Sequence, residues 1–233
     1  MKKIILFCLA FVAFFSVKAE NYMFGELSYD NTHMGYKSTF PDNDLMISSM
    51  GLNGFGLQYT YGFGITDRPM NVEVGAKWSM VFGGKTVKDI PFTGVGEEIN
   101  THVNLMRLAI PVSYIYHFPL MGKLAIAPYL GLDFRFNLMS QLKVKYTEYL
   151  NGDYVDQEKL NLSYFNKKDM DGHPASRVQL GWHLGVRIEG NQKYFLDIQY
   201  GTDFVRFYNH TLGEANAHIN TGNFSLGLGY YFK

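Results

Sequence analysis

The sequence predicts an all-β protein: an eight-stranded antiparallel up-and-down β-barrel that crosses a membrane. Three observations predict it. Large apolar residues alternate with small or polar ones, at a period of two, over runs longer than the usual strand of about five or six residues. The second face of each run is made of Gly, Ala, Ser and sparse charges of both signs, which suits a crowded interior better than a watery surface. The connections alternate long and short, as in barrels with short turns on one side of the membrane and long loops on the other.

The first strand is read over Tyr22–Tyr29, with Met23, Gly25, Leu27 and Tyr29 opposed to Phe24, Glu26 and Ser28. Residues 31–50 are polar, with Pro41, Asp42, Asn43 and Asp44, and read as a loop. Strand two, Leu52–Tyr61, sends Phe55, Leu57, Tyr59 and Tyr61 outward. Strand three, Asn71–Phe82, sends Val72, Val74, Ala76, Trp78, Met80 and Phe82 outward. Residues 83–101 read as a second long loop. The clearest hairpin follows, from Leu105 to Phe136. Met106, Leu108, Ile110, Val112, Tyr114 and Tyr116 share one face with Leu124, Ile126, Pro128, Leu130, Leu132, Phe134 and Phe136. Arg107, Ala109, Pro111, Ser113, Asp133 and Arg135 lie on the other.

Residues 139–174 form the longest connection. Leu142, Val144 and Tyr146 still alternate with Lys143 and Lys145, and Asn151-Gly152-Asp153 is a turn signal. The favoured reading is that strand five runs past the lipid and folds back as a water-facing hairpin. The alternative is a further hairpin in the wall, giving ten strands. Strands six (Ala175–Glu189), seven (Tyr194–Phe204) and eight (Gly222–Phe232) complete the set, with a loop at residues 207–221. No water in the lipid core can serve an open sheet edge, so the strands must close. Tyr61, Phe63, Tyr114, Tyr116, Phe118, Tyr194, Tyr230 and Phe232 are expected to form an aromatic girdle at one interface.

Residues 1–19 stand apart as a signal peptide. Lys2 and Lys3 precede the apolar run Ile4–Phe15, and Val17-Lys18-Ala19 is a small-x-small cleavage pattern. The sole cysteine, Cys8, lies within this segment, so the mature chain has no thiol chemistry. The formal charge of the chain is zero; without Lys2, Lys3 and Lys18 it has 18 basic against 21 acidic residues, which does not favour nucleic acid.

The runs Leu108-Ala109-Ile110-Pro111-Val112, Pro128-Tyr129-Leu130-Gly131 and Ser225-Leu226-Gly227-Leu228-Gly229-Tyr230-Tyr231-Phe232 resemble the porin-like outer-membrane β-barrel domain of Gram-negative bacteria, the PorT-type group. That resemblance implies the outer membrane as location, after cleavage near Ala19. It also implies contact with outer-membrane lipid, and delivery by the barrel-assembly machinery through a C-terminal strand ending at Phe232, which Lys233 follows here.

An eight-stranded barrel is barely wide enough for its own side chains, so inward charges must pair. The expected interior polar network is Glu26, Glu73, Lys77, Arg107, Asp133, Arg135, His183, Arg187, Asp197 and Asp203. Facing parity suggests Arg107 opposite Asp133 and Arg187 opposite Asp197. Pro111 and Pro128, nearly level on adjacent strands in that register, suggest a local bulge. The function expected is a structural or external-loop binding role for a monomer with a plugged interior. An extracellular partner would meet Tyr146, Tyr149, Tyr154, Tyr164 and Phe165 on the longest connection.

The alternatives are a narrow channel for small solutes and, third, a lipid-modifying enzyme. Catalysis would need a Ser, a His and an acid within reach of each other. His33, His102, His117, His173, His183, His210 and His218 show no such spacing on an outward face, and no His-x-His metal pattern occurs. No cofactor is expected.

Overall fold

The computed structural model describes residues 21–38, 49–65, 70–89, 94–120, 123–170, 172–191, 193–212 and 215–232. The segment read as a signal peptide, with Cys8, and the terminal Lys233 lie outside the described residues. The strands are β1 (Tyr22–Ser38), β2 (Met50–Gly64), β3 (Met70–Asp89), β4 (Val95–Tyr116), β5 (Phe118–Pro119), β6 (Leu124–Leu150), β7 (Asp153–Ser163), β8 (Val178–Gly190), β9 (Tyr194–Asp203), β10 (Tyr208–Leu212) and β11 (Ala215–Phe232). Eight of them, in the order β1-β2-β3-β4-β6-β8-β9-β11, form an antiparallel ring closed by β1 against β11. The ten-strand alternative does not hold, because β7 pairs only with β6 and β10 only with β11, both outside the ring.

The faces divide as period-two alternation requires. Leu27, Leu57, Leu108, Leu130, Leu184 and Leu228 point outward, with Leu130 65% and Leu228 68% exposed on the bare chain. Glu26, Glu73, Arg107, Asp133, Arg135, Arg187 and Asp197 are buried. A soluble sandwich would show the reverse; this inversion is what lipid demands of a barrel wall. Outward aromatics meet at the end with the short turns, where the rings of Tyr61 and Phe63 meet edge to face (4.5 Å) and those of Tyr116 and Phe118 (4.3 Å) and of Tyr194 and Tyr230 (5.2 Å) meet at a tilt.

At the opposite end the structure corrects the sequence reading. Much of the expected loops is strand: β1 continues to Ser38, β3 to Asp89, β4 begins at Val95, and β11 begins at Ala215. Strand six, expected from Ala175, begins at Val178 as β8. The longest connection behaves as favoured, since β6 runs unbroken for 27 residues and folds back into β7. The tip is Asn151-Gly152, with φ of 51° and 87°, the left-handed pair a tight two-residue turn needs.

One bulge reorganises this region. Met106 pairs with Met139, but Arg107 pairs with Asn137, so β6 carries one extra residue at Leu138. Below it, Phe134 and Phe136 face lipid; above it, Ser140, Leu142 and Val144 face inward. A single inserted residue reverses every later side chain. The apolar even-numbered set of β6 thus passes from the lipid face to the interior.

Above the bilayer band the interior is apolar. Met34, Leu52, Val81, Ile99, Val103, Leu105, Leu142, Val144, Tyr164, Met170, Phe207 and Ile219 belong to one buried cluster. The segment after β7 enters it, held by Ala175 N–H to the Tyr164 carbonyl (2.6 Å), Ser176 N–H to the Phe207 carbonyl (2.7 Å) and Asn137 N–H to the Arg177 carbonyl (2.8 Å). This segment fills the gap where β6 leaves β8 for β7 and β11 leaves β9 for β10.

Two further expectations fail. Arg107 does not oppose Asp133; Pro111 does, because the β4–β6 register differs by four from the one expected. Pro111 and Pro128 are therefore not level, and no bulge forms there. Pro111, lacking an N–H, accompanies a two-residue break in the β3–β4 ladder that keeps the same register on both sides. Arg187 does oppose Asp197.

Candidate functional site

The lumen is built in layers. At the end with the short turns, Arg187 projects from β8 into the middle of the barrel and is 1% exposed. Its Nη1 donates to Glu73 Oε1 (2.7 Å) and its Nη2 to Glu73 Oε2 (3.2 Å), a two-pronged grip across the lumen to β3. Its Nε donates to Asp197 Oδ2 at 3.4 Å. The guanidinium lies over Phe24 (4.3 Å) and Phe195 (4.5 Å), whose ring faces favour a cation. Tyr22 donates to Glu73 (2.5 Å), Tyr129 to Asp197 (2.5 Å) and Tyr231 to Glu189 (2.6 Å), so spare carboxylate lone pairs are occupied. His117 Nδ1 lies 3.1 Å from Glu189.

The middle layer is ionic. Lys77 donates to Asp30 (2.8 Å) and to Ser225 (2.9 Å). Arg135 bridges Asp133 (2.5 Å) and Asp203, and Gln179 and Thr221 donate to Asp203 as well. Arg107, on β4, crosses to the opposite wall, where Nη1 donates to Asn223 Oδ1 (2.9 Å) and Nη2 to Thr32 Oγ1 (2.7 Å). The cavity between these groups measures about 50 Å³. A second one, beside Glu26, Ser113 and Arg187, measures about 10 Å³. Both are water-sized or a few waters in size. The apolar cluster closes the lumen above this layer.

All ten residues expected in the interior network do face the lumen. The sequence reading missed Asp30, Tyr22, Tyr129, Glu189 and Tyr231 as members, although each sits at an inward-parity position. It also missed a Ser–His–Asp array. Ser113 Oγ is 2.8 Å from His183 Nε2, and His183 Nδ1 is 2.9 Å from Asp133 Oδ1. The strand ladder creates it, since Ser113 pairs with Gly131 and Gly131 with His183. Gly131 makes room for it, because a Cβ there would strike the Val112 carbonyl oxygen and the imidazole.

The array is nonetheless held as an anchor. The His183–Asp133 contact is out of line for a hydrogen bond, and Asp133 is gripped by Arg135. His183 is 1% exposed, and the lumen-side cavity that Ser113 lines would hold about one water; the larger groove beside both residues lies on the outer face, among Leu130, Leu132 and Leu184. Gly131→Val is expected to destabilise the barrel by about 1–3 kcal/mol through overpacking, read as a lower urea midpoint for loss of the compact gel band.

Of the five residues expected as a binding surface, Tyr164 and Phe165 belong instead to the apolar plug, where Tyr164 meets Phe207 at 5.5 Å. Tyr146 packs partly against it. Apolar pressure explains this: past the lipid, only the interior can take them. Tyr149 and Tyr154 remain on the β6–β7 sheet, their rings 6.5 Å apart. Tyr149 donates to Glu98 (3.2 Å), which also takes Lys88 at 2.7 Å. The Lys88 hydrogen bond holds the Glu98 carboxyl below its ordinary range, so this contact survives acidification until the pH falls through that lowered value. Among the described residues no group of three or more His, Cys, Asp or Glu is placed to hold a metal.

No curated protein matches the chain significantly. Among solved structures, the attachment invasion locus protein Ail of Yersinia pestis is similar at 12% identity, with 92% of this chain and 100% of that one covered and a TM-score of 0.39. Neisserial surface protein A is similar at 16% identity, covering 89% and 97%, with a TM-score of 0.38. The outer membrane protein OprG from Pseudomonas aeruginosa is similar at 11% identity, covering 92% and 97%, with a TM-score of 0.38. Residues 7–232 match the family model of the outer membrane protein beta-barrel domain, and the chain, with its lipid-facing wall and charged lumen, belongs to that family.

Proposed function

We propose that this protein is a closed barrel that acts through its external β6–β7 sheet, as a binding surface for an extracellular protein partner, without hydrolytic activity. The observation that carries this reading is the filled lumen. Aromatic-boxed Arg187, the ionic middle layer and the apolar plug succeed one another and leave a cavity of about 50 Å³ in the middle layer. Outside the band the chain instead extends β3, β4 and β6 as a sheet and adds β7 at its edge.

Several features of the hairpin support a partner there. Among the described residues, β7 is paired on one side only, so its other edge offers unpaired backbone donors and acceptors to an added strand. Tyr154, Val155 and Leu160 are exposed beside that edge. Lys145 lies directly opposite Lys159, and Glu148 opposite Asp156, like-charge pairs that cost stability and that a partner carrying both signs of charge would relieve. The PorT-type placement, cleavage after Ala19, a monomeric state and assembly through β11 fit the same picture.

The test is a photo-cross-linking side chain at Tyr154 on whole cells, with Leu130 as the lipid-facing control. A protein adduct at position 154, lost when residues 145–159 are replaced by a short turn while the compact gel band persists, is the expected result. No adduct at 149, 154 or 155 would sink the binding role. In planar bilayers the purified protein should give no stable openings; nanosiemens-scale steps would overturn the closed lumen.

A further inference from the structure

We propose that the middle layer of the lumen is a binding site for a small monovalent anion of the halide class, held by the Arg107 guanidinium and the Asn223 side-chain amide. The argument begins with how charge is distributed. Asp30 is taken by Lys77, and Asp133 and Asp203 are gathered by Arg135 on the β6–β9 side. Arg107 reaches the other wall, at β1 and β11, and finds neutral oxygens only, on Thr32 and Asn223. Among the described residues no carboxylate lies within ion-pair distance of it. A guanidinium does not lose its proton in a protein, so burial does not neutralise it.

Unused donors point the same way. Arg107 is 4% exposed, and its Nε–H has no partner. Asn223 Nδ2 has none either, although its Oδ1 accepts from both Arg107 and Thr32. Both residues line the cavity of about 50 Å³, together with Lys77, Ser79 and Gln199. That volume corresponds to roughly three or four water-sized spheres, enough for one halide ion and water beside it. Asp30 Oδ2, an acceptor without a partner, lines the same cavity and is served by that water. Immediately beyond lie Leu52, Val103 and Leu105 of the apolar plug, which exclude larger polyatomic anions. This site is independent of what the outer sheet binds.

The full-length protein, folded in detergent or nanodiscs in sodium gluconate, would be titrated with chloride at constant ionic strength. The heat midpoint for loss of the compact gel band is expected to rise saturably by about 5 °C. Crystals grown in bromide should show an anomalous-scattering peak against Arg107 Nε and Asn223 Nδ2. Asn223→Asp places a carboxylate on Arg107 and should remove the chloride dependence while the barrel still folds; Arg107→Gln should remove it as well. If Arg107→Gln fails to fold, Asn223→Asp alone decides. A wild-type midpoint indifferent to chloride, an equal shift in Asn223→Asp, or water without bromide at Arg107 would each overturn the proposal.

Discussion

Arg187→Ala is expected to lower the stability of the folded barrel by about 3–5 kcal/mol, the cost of leaving buried charges without their partner. The effect should fall at the upper end of that range. One guanidinium serves two carboxylates, Glu73 and Asp197, and also sits between the rings of Phe24 and Phe195. Its removal leaves both acids buried in a layer that already holds Glu26 and Glu189. The measurement is the urea midpoint of the heat-modifiable gel band in lipid. A second variant separates charge from shape: Arg187→Met with Glu73→Gln should recover part of the loss, because it deletes the charge from both sides of the pair. A single Arg187→Ala change within about 0.5 kcal/mol of wild type would refute the role assigned to this residue.

The second large effect concerns the outer face. Leu130→Arg should cost about 2–4 kcal/mol, the penalty of a basic side chain near the bilayer midplane. Leu130 lies on β6 midway between the girdle end at Leu124 and the last lipid-facing residues at Phe136 and Leu138. Exposure on the bare chain does not distinguish it from Val155, which is 53% exposed on β7. Val155→Arg should nevertheless change stability by no more than about 0.5 kcal/mol, because water rather than acyl chain surrounds it. Equal effects at the two positions would show that the assumed position of the bilayer is wrong.

Much of the architecture was legible because strand geometry is strict. Side chains alternate across the sheet, so Leu108-Ala109-Ile110 or Leu226-Gly227-Leu228 can present only one kind of residue to each side. The same parity brought all ten interior candidates to the lumen, and it permits the observed Arg187–Asp197 pair without selecting it. The upper ends of the strands were not legible. Beyond the lipid their outward face is polar, so the contrast that marks a membrane strand disappears, and segments such as residues 83–101 resemble loops.

The alternating pattern by itself therefore determined the membrane barrel, its eight staves and which face meets lipid, since each follows from side-chain direction within one strand. Register, the bulge at Leu138, the apolar plug and the partners of Arg107 were decided only in the tertiary structure. These depend on how far one strand slides along its neighbour and on which distant residue occupies the same level of a narrow lumen. Neighbouring even registers keep the same faces, and only the packing of all the strands together distinguishes their energies.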